Sequence, residues 1–448
     1  MTRNVHEASA VLRISAAAPL AAGIWPHTAS QAPDGEISVG GLRLSELAKT
    51  YGTPAYILDE ADVRYRCRAY HAAFPGAEVV YAGKAFLCRA MAQWIAREGL
   101  SLGVCSAGEL AVAAAVGFPA GRMILHGHAK SPEDLHAAFR YGVGRITADS
   151  VAEITRLAAQ APHGQQVLVR VTPGTGAHAH QAVVSGADDQ KFGFSQGSGA
   201  AADAVRRILG HPELRLVGLH CHIGSQLTDL AAYEAAARTL IGLMAAVRDT
   251  TGVALPELNL GGGHAIPCVI GDEDFDLDGF ARRIRQVITA ECARCRIPVP
   301  RLVIEHGPAI VGRAAVTLYR VLAVRHAPDG RTFVAVDGGL SDNPRPAWFG
   351  PGYSVRALRP STAPDQTVTV VGRHSEAGEV IAADVPLPED VRPGDVLAVP
   401  GTGAYNHSMV SNYNMVGRPP VVAVRDGAGR VLVRRETVSD LLSRDVGL

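Results

Sequence analysis

Apolar positions between residues 78 and 305 follow a repeating pattern, in which short apolar runs alternate with longer stretches of helical periodicity. About eight such strand–helix units over roughly 230 residues have the length and rhythm of a closed (β/α)8 TIM-type barrel. An open, doubly wound sheet is the alternative. The runs are "AEVVYAGK", "LSLGVCS", "RMILHGH", "GRITADS", "QVLVRVT", "LRLVGLHCHIG", "PELNLGGG" and "RLVIEHG".

The pattern changes after Glu305, where helical periodicity gives way to strand-like runs such as "RTFVAVDGG" and "PPVVAVRDGAGRVLVRRET". These runs predict a second, mainly β domain, and the earlier "PAYIL" run can pair into its sheet. The stretch "PHTASQAPDGE" is typical of a loosely held extension. The predicted regions are an extension over 1–37, a segment over 38–60 that joins the β domain, the barrel over 61–308, and the C-terminal β domain over 309–448.

Charge and composition favour a small molecule as the binding partner. The 448-residue chain has 43 Lys+Arg and 43 Asp+Glu residues without runs of like charge, so we expect neither nucleic acid nor a membrane as a partner. Arg13 interrupts the N-terminal apolar run, which argues against a secretory signal. Seven dispersed cysteines indicate reduced thiols. These features predict a soluble, cytoplasmic protein.

Polar and glycine residues follow the predicted barrel strands, whose carboxyl ends would all open on one face. Lys84 follows the run in "VVYAGKAF"; a lysine among apolar neighbours loses hydration, which lowers its pKa and makes it a nucleophile for carbonyls. Taken alone, a lysine that snorkels at a strand end is the commoner explanation. The other residues at these ends are Ser106, His126, His222, Gly261, Gly262, Gly263 and Glu305.

These residue types together indicate a site for pyridoxal phosphate (PLP) and no metal. The glycines of "LNLGGGHAIP" leave backbone N–H groups free to surround a phosphate. In "GLHCHIGSQ", two histidines lack a matching third zinc ligand, so a stacking His222 beside Ser225 fits a flat aromatic cofactor better. Lys84 would react with the aldehyde of the cofactor, and Glu305 would pair with its pyridine nitrogen.

Ordered motifs extend this interpretation over roughly nine-tenths of the chain. They are "YGTPAYILDEADVRYRCRAY", "YAGKAFL", "DDQKFGFS", "GLHCHIGSQ", "LNLGGG", "DGGLSDNPRP", "GDVLAVPGTGAY" and "SNYNMVGRP". In these motifs the chain resembles the fold type III, alanine racemase-like PLP decarboxylases, and among them the diaminopimelate decarboxylase family. The resemblance implies a PLP-binding barrel and decarboxylation of meso-2,6-diaminopimelate to L-lysine.

The resemblance also implies roles for single residues. Lys84 forms the Schiff base with the cofactor, His222 stacks on its ring, and Glu305 pairs with the pyridine nitrogen. Members of the family are head-to-tail homodimers with shared active sites, into which the "RHSEAGE" segment, with the catalytic residues Ser375 and Glu376, reaches from the partner. The phosphate-binding residues are Ser225, Gly261, Gly262, Gly263 and Tyr405, and the substrate-binding residues are Arg345, Phe349, Glu376 and Tyr405.

The sequence departs from the family where the substrate is handled. Pro308 stands in place of an arginine, Phe349 in place of a tyrosine, and Ser375 in place of the cysteine proposed as proton donor. An alcohol is a far weaker acid than a thiol with a pKa near ~8.5. The alternatives are therefore a paralogous decarboxylase that recognises a different distal group, a fold type III racemase, and a non-catalytic pseudoenzyme.

Overall fold

The structure is a computed structural model that describes residues 18–20, 23–174, 191–349 and 352–447. The chain forms two compact units. The barrel unit comprises Arg66–Ile266 and Asp274–Ile310, and the β unit comprises Met1–Tyr65, Pro267–Glu273 and Val311–Leu448.

Eight parallel strands form a closed barrel, which confirms the predicted architecture and excludes the open sheet. Each strand pairs with the next, and β8 pairs with β1 through Val303 opposite Glu78. An eight-stranded barrel has an interior just wide enough for side chains, and Val80, Ile124 and Leu168 belong to the buried cluster of this unit. In chain order, β1 to β8 are Glu78–Ala82, Ser101–Val104, Met123–Leu125, Arg145–Ala148, Gln165–Thr172, Leu214–His220, Glu257–Asn259 and Arg301–His306.

Helices connect the barrel strands, and serine caps mark where several of them begin. The hydroxyl groups of Ser106, Ser131 and Ser150 each accept a hydrogen bond from a backbone N–H in the first helical turn, which satisfies a donor that the helix leaves unpaired. A short strand, Phe194–Ser195, pairs with β5. The helices are Glu60–Ala73, Arg89–Arg97, Ala107–Ala114, Pro132–Tyr141, Val151–Gln160, Ala200–Leu209, Leu230–Thr251, Leu277–Cys295 and Pro308–Val311, with 3-10 turns at Gly83–Ala85 and Ala120–Arg122.

The helix Leu230–Thr251 is long and apolar enough to cross a membrane by length and composition alone. Leu240, Ile241 and Met244 are nevertheless buried inside the protein. Burial of this kind is typical of a core helix in a globular domain.

The β unit is built around a strand from the N-terminal region. Ala55–Asp59 pairs antiparallel with Ala315–His326 and parallel with Val421–Arg425, so that distant parts of the chain share one sheet. The other strands of this sheet are Thr332–Val336, Arg356–Ala357, Asp365–Val371, Val380–Pro388, Val396–Pro400 and Ala428–Val433. A smaller sheet contains Ala18–Pro19, Ser30–Gln31, Ile37–Val39 and Leu42–Arg43, and short helices are Leu44–Tyr51, Arg345–Phe349, Val438–Leu442, His407–Met409 and Tyr413–Met415.

Two boundaries differ from the sequence prediction. Ile24, Trp25 and Ile37 are at most 4% exposed and pack in the core of the β unit, so residues 23–37 are not a loosely held extension. The prediction of an extension rested on the composition of this stretch, in which the polar neighbours of these three residues dominate. The segment Pro267–Glu273 lies within the predicted barrel range but belongs to the β unit, where the N–H of Ile270 donates to Ser354 Oγ at 2.9 Å.

Candidate active site

A buried carboxylate, Glu305, lies at the carboxyl end of the barrel strands. Its side chain is 10% exposed, and Asn259 Nδ2 donates a hydrogen bond of 2.6 Å to its Oε1. His126 Nε2 lies 2.9 Å from Oε1, and His220 Nε2 lies 3.8 Å from Oε2. Four strand ends, those of β3, β6, β7 and β8, thus bring their side chains together on one face, as a closed barrel requires.

The surroundings of Glu305 keep it ionised. Burial by itself would raise its pKa, but the electrostatic interaction and hydrogen bond with His126, assisted by His220 and the Asn259 amide, lower the pKa well below its usual range. The carboxylate can therefore accept a hydrogen bond from a protonated heterocycle across the neutral pH range.

The triple-glycine turn after β7 is shaped by close backbone packing. A Cβ at Gly261, Gly262 or Gly263 would overlap the carbonyl oxygens of Cys221, Glu305 or Gly224, respectively. Gly261 donates its N–H to Asn259 Oδ1 at 2.9 Å and accepts the N–H of Glu305 at 2.7 Å. The glycines are therefore required for packing. The N–H groups of Gly261 and Gly262 are bonded within the protein, and Gly263 is half-buried.

His222 is held as a neutral imidazole. Burial, followed by the positive charges of Lys84 and Arg170, lowers its pKa well below the usual range. Its Nδ1 accepts the N–H of Gly262 at 3.4 Å, so the proton belongs on Nε2. Ser225, which the sequence assigned to the same site, lies three residues further on and is half-buried.

Lys84 lies in the 3-10 turn Gly83–Ala85 that follows β1, and its side chain is exposed. The sequence suggests a lysine desolvated by apolar neighbours, and that premise is wrong, because Lys84 is exposed to solvent. Its charge adds to the effect of burial in lowering the pKa of His222, and it opposes the burial that raises the pKa of Glu109. The Lys84 amine therefore belongs to the same cluster and is accessible to an aldehyde.

Two residues of this cluster, Asn259 and Arg170, were not singled out from the sequence. Asn259, the last residue of β7, orients Glu305. Arg170 near the end of β5 is 11% exposed, with Nη1 at 3.5 Å from Asp149 Oδ2, and its charge contributes to lowering the pKa of His220 and His222. The sequence signal that could have identified both residues is a charged or amide side chain at the end of an apolar strand, as in "QVLVRVT" and "PELNLGGG".

The β unit carries the remaining predicted residues. The Arg345 guanidinium lies 5.8 Å from the centre of the Tyr405 ring. Ser375 and Glu376 are exposed in the turn between Asp365–Val371 and Val380–Pro388, and Glu376 accepts a hydrogen bond from the Tyr413 hydroxyl. Pro308 begins a short helix. The side chain of Phe349 lies outside the described part of the structure.

A barrel with a buried carboxylate, a neutral histidine and an accessible lysine at one end is consistent with a pyridoxal-dependent decarboxylase, and the comparisons show that class. The family model "Pyridoxal-dependent decarboxylase, pyridoxal binding domain" matches residues 60–312. The diaminopimelate decarboxylase of Actinosynnema pretiosum subsp. auranticum is 58% identical over 429 residues, 95% of this chain and 96% of that protein. The enzyme of the same name from Mycobacterium tuberculosis H37Rv is 46% identical, covering 95% and 98%.

Solved structures agree with the sequence relatives. The diaminopimelate decarboxylase of M. jannaschii in complex with L-lysine superposes with a TM-score of 0.88 at 28% identity, covering 95% of this chain and 98% of that one. The chain therefore belongs to the diaminopimelate decarboxylase family.

The cofactor of this family is PLP, and the described residues fit it. His126, His220 and Glu305 have ligand atoms within 4.8 Å of one another, which is also the composition of a metal site. The Asn259 amide already occupies one oxygen of Glu305, and the ionised carboxylate matches a protonated pyridine nitrogen. Lys84 is open to an aldehyde, and the glycine turn has no side chain that would exclude a phosphate.

Proposed function

We propose that this protein decarboxylates meso-2,6-diaminopimelate, yielding L-lysine and CO2. The observation that carries the proposal is the ionised, buried Glu305, oriented by Asn259 and His126 at the end of the barrel, in a chain 58% identical to a diaminopimelate decarboxylase. Decarboxylation of an amino acid requires a group that withdraws electrons from the α-carbon, and a protonated pyridine ring is such a group.

Residues of this chain would hold the cofactor at four points. Lys84 would bind its aldehyde, His222 would cover one ring face, and Glu305 would hold a proton at the pyridine nitrogen. When bound, PLP supplies the electron sink for the pair released with CO2. Because the pKa of Glu305 is far below neutral, this residue does not compete for that proton. The proposed phosphate ligands are Ser225, Gly261, Gly262, Gly263 and Tyr405.

We also propose a cytoplasmic homodimer in which residues 373–379 of one subunit complete the site of the other. The exposed Ser375 and Glu376 support this arrangement, because a buried segment could not enter a neighbouring site. Glu376 would bind a substrate ammonium group, and Arg345 a carboxylate. The Ser375 hydroxyl is a far weaker acid than a thiol, so either a different group delivers the proton to the α-carbon or the outcome at that carbon differs.

A second candidate is a decarboxylase for an amino acid with a different distal group. Pro308 and Phe349 support it, since they replace residues that would contact a second carboxylate. A missing hydrogen-bonding partner typically costs on the order of 1–3 kcal/mol of recognition, which is enough to change the preferred substrate.

A decarboxylation screen of D- and L-amino acids with PLP-loaded protein tests both candidates. We expect CO2 and L-lysine from meso-diaminopimelate. Release of CO2 from another amino acid at a higher kcat/KM would select the paralogue, whereas isomerisation without CO2 would identify a racemase. A protein without visible cofactor absorbance, in which borohydride does not fix PLP to Lys84, would refute every enzymatic assignment.

A further inference from the structure

One buried carboxylate organises the turn that carries Ser375 and Glu376. The side chain of Glu379 is 4% exposed. It accepts the backbone N–H of His374 at 2.8 Å, and it accepts further hydrogen bonds from the N–H of Leu340 and from His374 Nδ1. A buried carboxylate is tolerated only when donors of this kind replace water. These donors hold the Glu379 carboxylate in a fixed position, and we call the groups that surround it the seat.

Two glycines make room for that seat. A Cβ at Gly339 or at Gly372 would overlap the carboxyl group of Glu379. The Gly339 backbone has a φ of +143°, which also disfavours a side chain. Residues from two separate stretches of the β unit thus enclose the carboxylate, and the seat is a property of the tertiary structure.

The seat separates buried residues of the turn from exposed ones. The His374 side chain is fully buried, whereas the neighbouring Ser375 and Glu376 are exposed. The N–H of Glu376 donates to His374 O at 2.9 Å, and that of Glu379 donates to Glu376 O at 3.2 Å. The exposed residues between His374 and Glu379 are therefore hydrogen-bonded at both ends to this buried pair. These bonds restrict the directions that Ser375 and Glu376 can take.

The same seat is connected to the segment that carries Arg345. Gly339 donates its N–H to Asp342 Oδ1 at 2.8 Å, and Tyr319 donates its hydroxyl to Asp342 Oδ2 at 2.5 Å. Burial raises the pKa of Asp342 to about 7, and the nearby charge of Glu379 contributes to this rise. Asp342 precedes Arg345 by three residues, so the two substrate-binding segments share one buried network.

We propose that His374 and Glu379 are a positioning pair for decarboxylation: the hydrogen bond from His374 Nδ1 to Glu379 fixes the direction in which Ser375 and Glu376 face the substrate. This inference rests on the proposed function. His374 acts through Nδ1 and does not donate a proton to the substrate, because its ring is enclosed within the β unit. Misplacing a substrate-binding group by about 1 Å can lower a rate by roughly 100-fold.

Two amide substitutions at His374 separate positioning from proton transfer. The side-chain nitrogen of asparagine reaches the place of Nδ1, whereas that of glutamine reaches the place of Nε2. We expect PLP-loaded His374→Asn enzyme to keep kcat/KM for meso-diaminopimelate within about 3-fold of wild type, and His374→Gln and Glu379→Gln to lose about 10- to 100-fold. Cofactor absorbance and the thermal midpoint verify that each variant is folded and loaded.

Hydrogen exchange supplies a readout that does not depend on the substrate. Glu379→Gln should accelerate exchange of the Leu340 and His374 amides, which donate to this carboxylate. Glu389→Gln is the matched control, since Glu389 is exposed in the same unit; it should change neither exchange nor kcat/KM. If Glu379→Gln fails to fold, Glu379→Asp keeps the charge but shortens the reach, and the same loss of kcat/KM is expected.

Three outcomes would overturn the positioning pair. One is an unchanged kcat/KM in a folded Glu379 variant, and another is unchanged exchange of the two amides. The third is an equal loss in His374→Asn and His374→Gln together with a shifted pH–rate profile, which would make His374 a proton carrier. If wild-type enzyme leaves meso-diaminopimelate intact, the proposed function fails; the exchange data still decide whether the seat exists, and kcat/KM is then compared on the amino acid that the screen selects.

Discussion

At the scale of single residues, the site depends on groups whose protonation is set by their surroundings. Glu305 is ionised because His126, His220 and Asn259 outweigh the effect of burial. His222 is neutral because burial and two nearby cations oppose a third positive charge. These opposite outcomes give the barrel face one acceptor for a charged ring nitrogen and one uncharged ring surface.

Lys84→Ala should abolish turnover, because no other described residue in this turn offers an amine to the cofactor aldehyde. We expect kcat to fall by more than about 100-fold. The exposed Lys49, whose ion pair with Glu46 spans one helical turn, provides the control Lys49→Ala, which should leave kcat unchanged. Substantial activity of Lys84→Ala protein in a CO2-release assay would refute the assigned role.

Ser375→Cys should raise kcat for meso-diaminopimelate if the weak acid limits the reaction, since a thiol with a pKa near ~8.5 transfers a proton far more readily than an alcohol. Ser439→Cys places a thiol on an exposed serine of the same unit and should have no effect. An unchanged kcat in Ser375→Cys enzyme would instead direct attention to Pro308 and Phe349 as the substrate determinants.

At the scale of elements, the turn after β7 is defined by close backbone packing. Its glycines approach the backbone of β8 and of the segment after β6 so closely that no side chain fits. The rhythm of the apolar runs was sufficient to predict all eight barrel strands, since each strand carries its own signal. It could not show that Asn259 orients Glu305, because that contact joins two strands far apart in sequence.

Gly262→Ala should destabilise the protein by about 1–3 kcal/mol or more, because the new methyl group overlaps the Glu305 carbonyl oxygen. Cofactor affinity should fall in parallel, since Glu305 and the turn would both shift. Gly242→Ala in the helix Leu230–Thr251 is the control; its Cβ meets open space, so stability should stay equal or rise. Thermal unfolding and PLP titration of both variants test this prediction. Equal stability and equal PLP affinity in the two variants would contradict the packing argument.

At the scale of the whole molecule, stability should depend on pH through buried histidines. Burial lowers the pKa of His306 to about 3, although Glu305 opposes this shift. Its ring is 3.8 Å from that of His264, and neither ring nitrogen of His306 has a hydrogen-bond partner among the described residues. Below a pH of about 6.5 the unfolded chain therefore binds a proton that the folded chain does not.

The thermal midpoint should accordingly fall as the pH decreases from about 6.5 towards 3, where the folded histidine begins to bind a proton. His306→Phe removes this titrating group with little change in ring size, so its midpoint should depend less on pH than that of wild type. His326→Phe, which alters an exposed ring, should keep the wild-type dependence. Identical curves for wild type and His306→Phe would exclude His306 as a source of acid sensitivity.

The sequence by itself determined the barrel, the β domain that follows it and the family to which the chain belongs, because period, strand-end chemistry and ordered motifs are all local signals. The tertiary structure alone decided how these residues act. Lys84 proved exposed, residues 23–37 joined the β-unit core, and His374 met Glu379 in a seat made by glycines from two chain segments. Burial and close packing depend on which distant segments meet, and no local pattern records that.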